Sequence, residues 1–302
     1  MIGAGKIATL PEGRSLSYDE CGDPDGVPVM IFHGAPGSRI GLAGPEQDEV
    51  AERLGVRLVA PDRPGHGFSD HRPQRSVLDW PVDVLALADV LGISRFSVLG
   101  VAGGSAYVAA CALRIPHRLR AAGIIGGIAP LEAPGVTRGM ARGHRALLTS
   151  GRWLAWGLER AVRKLGDGLA TNPATTLDRL LEGAPEVDRA MVADPRRRQL
   201  LIDSYREAFR RGPAGPALDL RLVSQPWGFA LSDVPMIVNL WHGLQDTMAP
   251  PAMGDYLGRA LPRSETRVYA DLGQLSLLTN RFEEILTSLL ATAHREEGKP
   301  VG

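Results

Sequence analysis

The chain has 302 residues, with 34 Lys plus Arg set against 34 Asp plus Glu, which leaves room for one large α/β domain with an insertion or for two ordinary domains. Balanced charge of this kind gives no sequence-wide field to attract nucleic acid or an anionic membrane, so a neutral small molecule is the expected partner, with a homodimer left open. Cys21 and Cys111 are too few for a disulfide framework. The opening Met1 to Leu10 lacks a basic region followed by a long apolar run, and the stretch around Ala121 to Leu131 is glycine-broken and too short to span a bilayer, so a soluble, cytoplasmic protein is expected.

Strand-like runs at Lys6 to Leu10 and Ser15 to Asp19 read as an antiparallel pair across Pro11-Glu12-Gly13. Val27 to Phe32, Arg57 to Ala60, Phe96 to Val101 and Ala121 to Ile125 follow as parallel strands, and Pro235 to Trp241 and Thr266 to Tyr269 complete eight. Amphipathic stretches at Pro45 to Leu54, Val77 to Leu91, Ser105 to Leu113, Ala252 to Leu261 and Arg281 to His294 fill the gaps as helices. The alternation predicts an α/β fold, a mostly parallel sheet with helices on both faces. Between about Pro130 and Asp233 no strand-like run occurs, and Arg, Leu and Ala are broken by Gly166, Pro173, Pro185 and Pro213. That segment reads as an inserted helical cap (130–233) on a core of 1–129 and 234–302, with Leu147, Leu148, Trp153, Leu154 and Trp156 expected to bury against the top of the sheet.

Gly100-Val101-Ala102-Gly103-Gly104 closes a strand and opens a helix with the spacing of a nucleophile elbow. Its apex is Ala102, whose methyl group cannot attack a carbonyl. His33-Gly34-Ala35-Pro36-Gly37-Ser38 follows the apolar strand Val29 to Phe32; a Gly-rich turn there points backbone N–H groups at a developing oxyanion. Pro36 has no N–H, so Ala35 and Gly103 are the expected donor pair. Beyond the strand Met236 to Leu240, Asp246 falls on the rim where open α/β sheets bind ligands, while His242 is expected to pack beside its strand. Gln274, in Leu272-Gly273-Gln274-Leu275-Ser276, stands third in the order nucleophile, acid, base, yet an amide does not titrate near neutral pH.

These motifs, together with Pro61-Asp62-Arg63-Pro64-Gly65-His66-Gly67-Phe68-Ser69 and Trp241-His242-Gly243-Leu244-Gln245-Asp246, resemble the α/β-hydrolase family, close to its cap-bearing bacterial small-molecule hydrolases. The resemblance runs nearly end to end. It implies the α/β-hydrolase fold, with Ala102 at the position of the nucleophilic Ser, Asp246 at that of the acid and Gln274 at that of the His base. Ser105, a turn into the helix, should point away from where Ala102 points, Cys111 lies deeper, and His66 reads as structural. His33, His144, Trp153 and Trp227 are the residues expected to face a bound molecule, with Trp156 and Phe229 as further apolar walls. No metal-ligand spacing, phosphate loop or dinucleotide fingerprint occurs, so no metal and no cofactor are expected.

Loss of nucleophile or base from a serine triad costs about a millionfold in rate, so ester hydrolysis by this sequence should be negligible. Three readings follow. The first is a non-hydrolytic enzyme that uses the oxyanion donors with Asp246 and Gln274 for a cyclisation, isomerisation or lyase step. The second is a serine hydrolase whose nucleophile and base were replaced, and the third is a ligand receptor or scaffold.

Overall fold

The computed structural model describes residues 5–153 and 155–297; the side chains of 150–155 and 297 lie outside the described residues. Eight strands, β1 (Lys6–Thr9), β2 (Ser15–Gly22), β3 (Val27–Phe32), β4 (Val56–Pro61), β5 (Phe96–Val101), β6 (Leu119–Ile125), β7 (Val238–Gly243) and β8 (Ser264–Tyr269), form one sheet in the order 1-2-4-3-5-6-7-8. β2 runs antiparallel to both β1 and β4, and every other pairing is parallel. Side chains alternate across each strand. Met30, Phe32, Phe96 and Val98 therefore enter one core layer, while Val29, Ile31, Leu99 and Val101 enter the layer on the opposite face. A strand buried on both sides reads as a continuous apolar run, as β5 does.

Helices α1 (Pro45–Arg53), α2 (Trp80–Val90) and α3 (Gly104–Arg114) lie between the early strands. Six more, α4 (Arg142–Trp153), α5 (Ala155–Thr171), α6 (Pro173–Leu180), α7 (Glu186–Val192), α8 (Pro195–Ala208) and α9 (Ala214–Ser224), occupy the excursion between β6 and β7. The breaks between them carry their own start signals. Asn172 accepts from the Thr175 N–H at the head of α6, and Asp194 accepts from Arg196 and Arg197 N–H at 2.9 and 3.0 Å ahead of Pro195 in α8. α10 (Pro251–Ala260), α11 (Gln274–Asn280) and α12 (Phe282–Glu297) complete the chain.

Strand positions agree with the sequence reading to within three residues at each end; the largest shifts are β2, which runs on to Gly22 rather than ending at Asp19, and β7, which begins at Val238 rather than Pro235. Two features differ more. The apolar run after Gln274 is the separate helix α11, a short element that periodicity over seven residues does not distinguish from a loop. Trp156, expected to bury, is 69% exposed on α5; Leu148, Leu158 and Val162 supply the buried positions instead. The expected burial of Trp153 and Leu154 lies outside the described residues.

Candidate functional site

The elbow is formed, with its strain, around an alanine. Ala102 has φ of +50°, the one non-glycine among the described residues with positive φ, a conformation that costs an L-residue on the order of 1–2 kcal/mol. Hydrogen bonds hold it there: its N–H donates to Ile125 O at 3.0 Å, and its carbonyl accepts from Ser105 and Ile128 N–H at 3.1 and 3.2 Å. The flanking glycines permit the close approach. A methyl group at Gly100 would stand 2.6 Å from Gly104 O, and one at Gly104 would stand 2.6 Å from Phe32 O.

Opposite the apex, a methyl group at Gly34 would meet the Ala102 Cβ at 3.4 Å, and one at Gly103 would stand 3.3 Å from the Ala35 nitrogen. Gly103 and Ala35 thus stand side by side at the elbow. Among the described residues neither N–H has an acceptor. Val223 of α9 closes over them, 3.5 Å from the Gly103 methyl position, while Ala102 and Gly34 keep partial solvent access.

On the other flank, Gly126 brings Asp246 and Gln274 together: a methyl group there would stand 3.2 Å from both Asp246 Oδ2 and Gln274 Cγ. Asp246 Oδ1 accepts from Met248 and Ala249 N–H at 2.8 and 2.9 Å. Gln274 Nε2 donates to Gly126 O at 3.2 Å and lies 3.4 Å from Asp246 Oδ2, which fixes the amide with its nitrogen towards both. Its Oε1 accepts from no described residue and is not among the buried unpaired atoms, so it reaches accessible space. Burial pushes the Asp246 carboxyl up to about 8, against the lowering effect of its backbone hydrogen bonds and with a further push from Asp188. The hydrogen bond from the Gln274 amide also works to lower it, without reversing the rise.

The remaining sequence expectations divide. His33, expected to face a ligand, is buried with its ring nitrogens engaged: Arg63 N–H donates to Nε2 at 3.2 Å, and Nδ1 lies 2.8 Å from Gly34 O and 2.9 Å from Arg63 Nη2. Burial and the Arg63 charge hold its pKa well below the ordinary value, and the neutral ring positions the Gly34–Ala35 turn. Trp227 is likewise core, 3% exposed, with Nε1 donating to Val223 O and the ring 6.1 Å from Phe229. His144 is half-buried on α4, its pKa pulled by burial to about 4. The side chain of Trp153 lies outside the described residues. Ser105 Oγ donates to Ile128 O at 2.6 Å inside the core, and burial raises the Cys111 thiol well above its usual range, so neither supplies a nucleophile. His242 packs as expected, with Nε2 donating to Ala249 O at 2.8 Å. His66 is buried beside His33, its pKa lowered by burial to about 3.

Sequence reasoning missed the carboxylates that tie the helical excursion to this site. Asp188 of α7 accepts from Gln274 and Ser276 N–H, each at 2.9 Å, and from Ser276 Oγ at 2.6 Å, and so sets the turn that carries Gln274. Asp219 of α9 receives Arg63 Nη2 at 2.7 Å and Arg75 Nη2 at 2.9 Å, while Arg63 also donates to His33 O at 2.6 Å. Burial works to raise the Asp219 pKa, but the two guanidiniums hold it well below the carboxylate range. On α8, Glu207 receives Arg39, which also pairs with Asp62. Only motif membership marked Arg63 in the sequence; an isolated Asp on a helix carries no signal of its distant partner.

Among the described residues no group of three or more His, Cys, Asp or Glu is placed to hold a metal, and no helix is long and apolar enough to cross a membrane. A mostly parallel eight-stranded sheet with a strained strand-to-helix apex, two unsatisfied N–H donors and a carboxylate beyond a later strand defines the α/β-hydrolase class. The profile for the alpha/beta hydrolase fold matches residues 27–281, and the chain belongs to that family. It is 25% identical over 287 residues to 2-hydroxymuconate semialdehyde hydrolase from Pseudomonas putida, covering 89% of each chain. Over 190 residues, 57% of this chain and 63% of the relative, it is 29% identical to 2-hydroxy-6-oxo-2,4-heptadienoate hydrolase from another Pseudomonas putida strain. The enol-lactonase of Burkholderia xenovorans shares the fold with a TM-score of 0.69 at 18% identity, over 95% of this chain and all of that one (100%).

Proposed function

We propose that this α/β-hydrolase-fold enzyme acts on a small enolisable oxo acid without forming an acyl-enzyme, by isomerisation, cyclisation or a lyase step. The observation that carries the reading is the pair of unsatisfied N–H groups at Ala35 and Gly103 beside an apex that holds only a methyl group. Donors fixed in that way stabilise an enolate or alkoxide as its charge develops, and they need no nucleophile to do so. Asp246, with its carboxyl at about 8, holds a proton near neutral pH, and Gln274 Oε1 offers an acceptor to a substrate hydroxyl. The helices between β6 and β7 act as the lid, and Val223 excludes water above the donors. The relatives named for 2-hydroxymuconate semialdehyde and 2-hydroxy-6-oxo-2,4-heptadienoate support unsaturated oxo compounds as the substrate class.

A second reading is favoured by the preserved φ of +50° at Ala102: a serine hydrolase whose nucleophile and base have been replaced. Conversion of 2-hydroxy-6-oxo-2,4-heptadienoate in ¹⁸O-water, followed by loss of the dienol chromophore and by product mass, separates the two. The proposal expects the protein to bleach the chromophore with no water added, and the Ala102→Ser/Gln274→His variant to yield ¹⁸O-labelled hydrolysis products. Turnover by the double variant alone would establish the second reading and overturn the first.

A further inference from the structure

A cavity of about 290 Å³ lies on the far side of α9 from the elbow, between α5, α9 and the loop that carries His71 and Pro73. Helical geometry separates the two sites. Asp219 and Val223 face the core, whereas Ala214, Ala217, Leu218 and Arg221, spaced by three and four residues, present the opposite face to the cavity. Its walls are apolar at Pro73, Leu158, Pro213, Ala217 and Leu218, of which Leu158, Ala217 and Leu218 are buried.

Two arginines line this space, Arg163 from α5 and Arg221 from α9, with Glu159 the one carboxylate in the lining. Among the described residues neither arginine has a hydrogen bond or ion pair, and Arg221 Nε is buried without any partner. The buried arginines among the described residues, Arg39, Arg63 and Arg75, each face a buried carboxylate instead, although Arg39 and Arg75 share the unbonded Nε. Guanidiniums beside a cavity with no bond to a protein carboxylate are free to pair with an anion that enters it. The space is too small for a large ligand and offers both polar and apolar lining, which fits an anion with a compact apolar body.

We infer that this cavity is a second binding site, separate from the elbow, for a small amphipathic carboxylate whose head group pairs with Arg221 and Arg163 and whose body packs on Leu158 and Leu218. Its occupancy would bridge α5 and α9, the helix that covers the oxyanion donors.

Calorimetric titration of the full chain with benzoate, at fixed ionic strength and pH 7, tests the assignment. The inference predicts saturable binding that weakens about tenfold in Arg221→Gln and again in the exposed Arg163→Gln, since one charged hydrogen bond is removed each time. Benzyl alcohol, which lacks the charge, and inorganic phosphate, which lacks the apolar body, should each bind at least tenfold more weakly than benzoate. Gln274→Ala should leave benzoate binding unchanged. Absence of saturable binding, equal binding of either control, indifference to both arginine substitutions, or loss on Gln274→Ala would each overturn it. The last result would place the anion at the elbow, a result that leaves the proposed chemistry there intact.

Discussion

Ala102 bears the backbone strain of a nucleophile without its chemistry, and the consequence appears at Asp246 rather than at the apex. Gln274 beside Asp246 brings hydrogen-bonding capacity and no charge, and burial lifts the Asp246 carboxyl to about 8. The folded protein therefore holds this proton up to about pH 8, while the unfolded chain releases it near pH 4. Stability contributed by the group is fully present below pH 4 and is lost as pH rises to about 8, on the order of a few kcal/mol across that window. Asp246→Asn, which keeps the Oδ1 acceptor for Met248 and Ala249 N–H, should flatten this fall: urea unfolding at pH 5 and pH 8 should show a smaller difference for the variant than for the parent. An equal or larger difference would mean that the carboxyl is ionised in the folded state. That Ala35 would lie beside Gly103, and Asp246 beside Gln274, was readable in the sequence, because glycine-marked motifs at strand ends fix where such residues must stand. The orientations of His33 and Trp227 were not, since a motif says that a side chain is needed but not whether it faces a ligand or its own backbone.

α9 is held to the sheet by charge and by close backbone contact. Methyl groups at Gly65 and Gly215 would stand 2.6 Å from Gly215 Cα and 2.2 Å from Gly65 O, so the helix rests on the Pro64–Gly67 turn with no side chain between them. Asp219, fully buried, then receives Arg63 and Arg75. Breaking a buried pair from one side leaves uncompensated charge, and Asp219→Asn should lose about 3–5 kcal/mol in denaturant unfolding. A loss below about 1 kcal/mol would show that the guanidiniums find other partners and that the cluster is not what docks α9. Elements of the sheet were readable because β3 and β5 display their burial directly in apolar runs. The pairings of Asp188, Glu207 and Asp219 were not, because each joins residues 86 or more positions apart and a lone acidic residue on a helix looks the same whether it is solvated or buried.

For the molecule as a whole, three buried carboxylates on α7, α8 and α9 reach back to the loops after β8, β3 and β4, so the excursion is anchored at the rim where Ala35, Ala102 and Gln274 stand. Balanced composition fits this arrangement: much of the charge is consumed in internal pairs rather than displayed as a field. The account depends on positions 102, 246 and 274 forming one acyl-transfer geometry that lacks only its reactive atoms. A fluorophosphonate probe, which phosphonylates an activated serine with loss of fluoride, tests this by intact mass and peptide mapping. The parent protein should remain unlabelled, and Ala102→Ser/Gln274→His should take up one equivalent at position 102. A folded double variant that resists labelling, or a parent chain that is labelled, would contradict it.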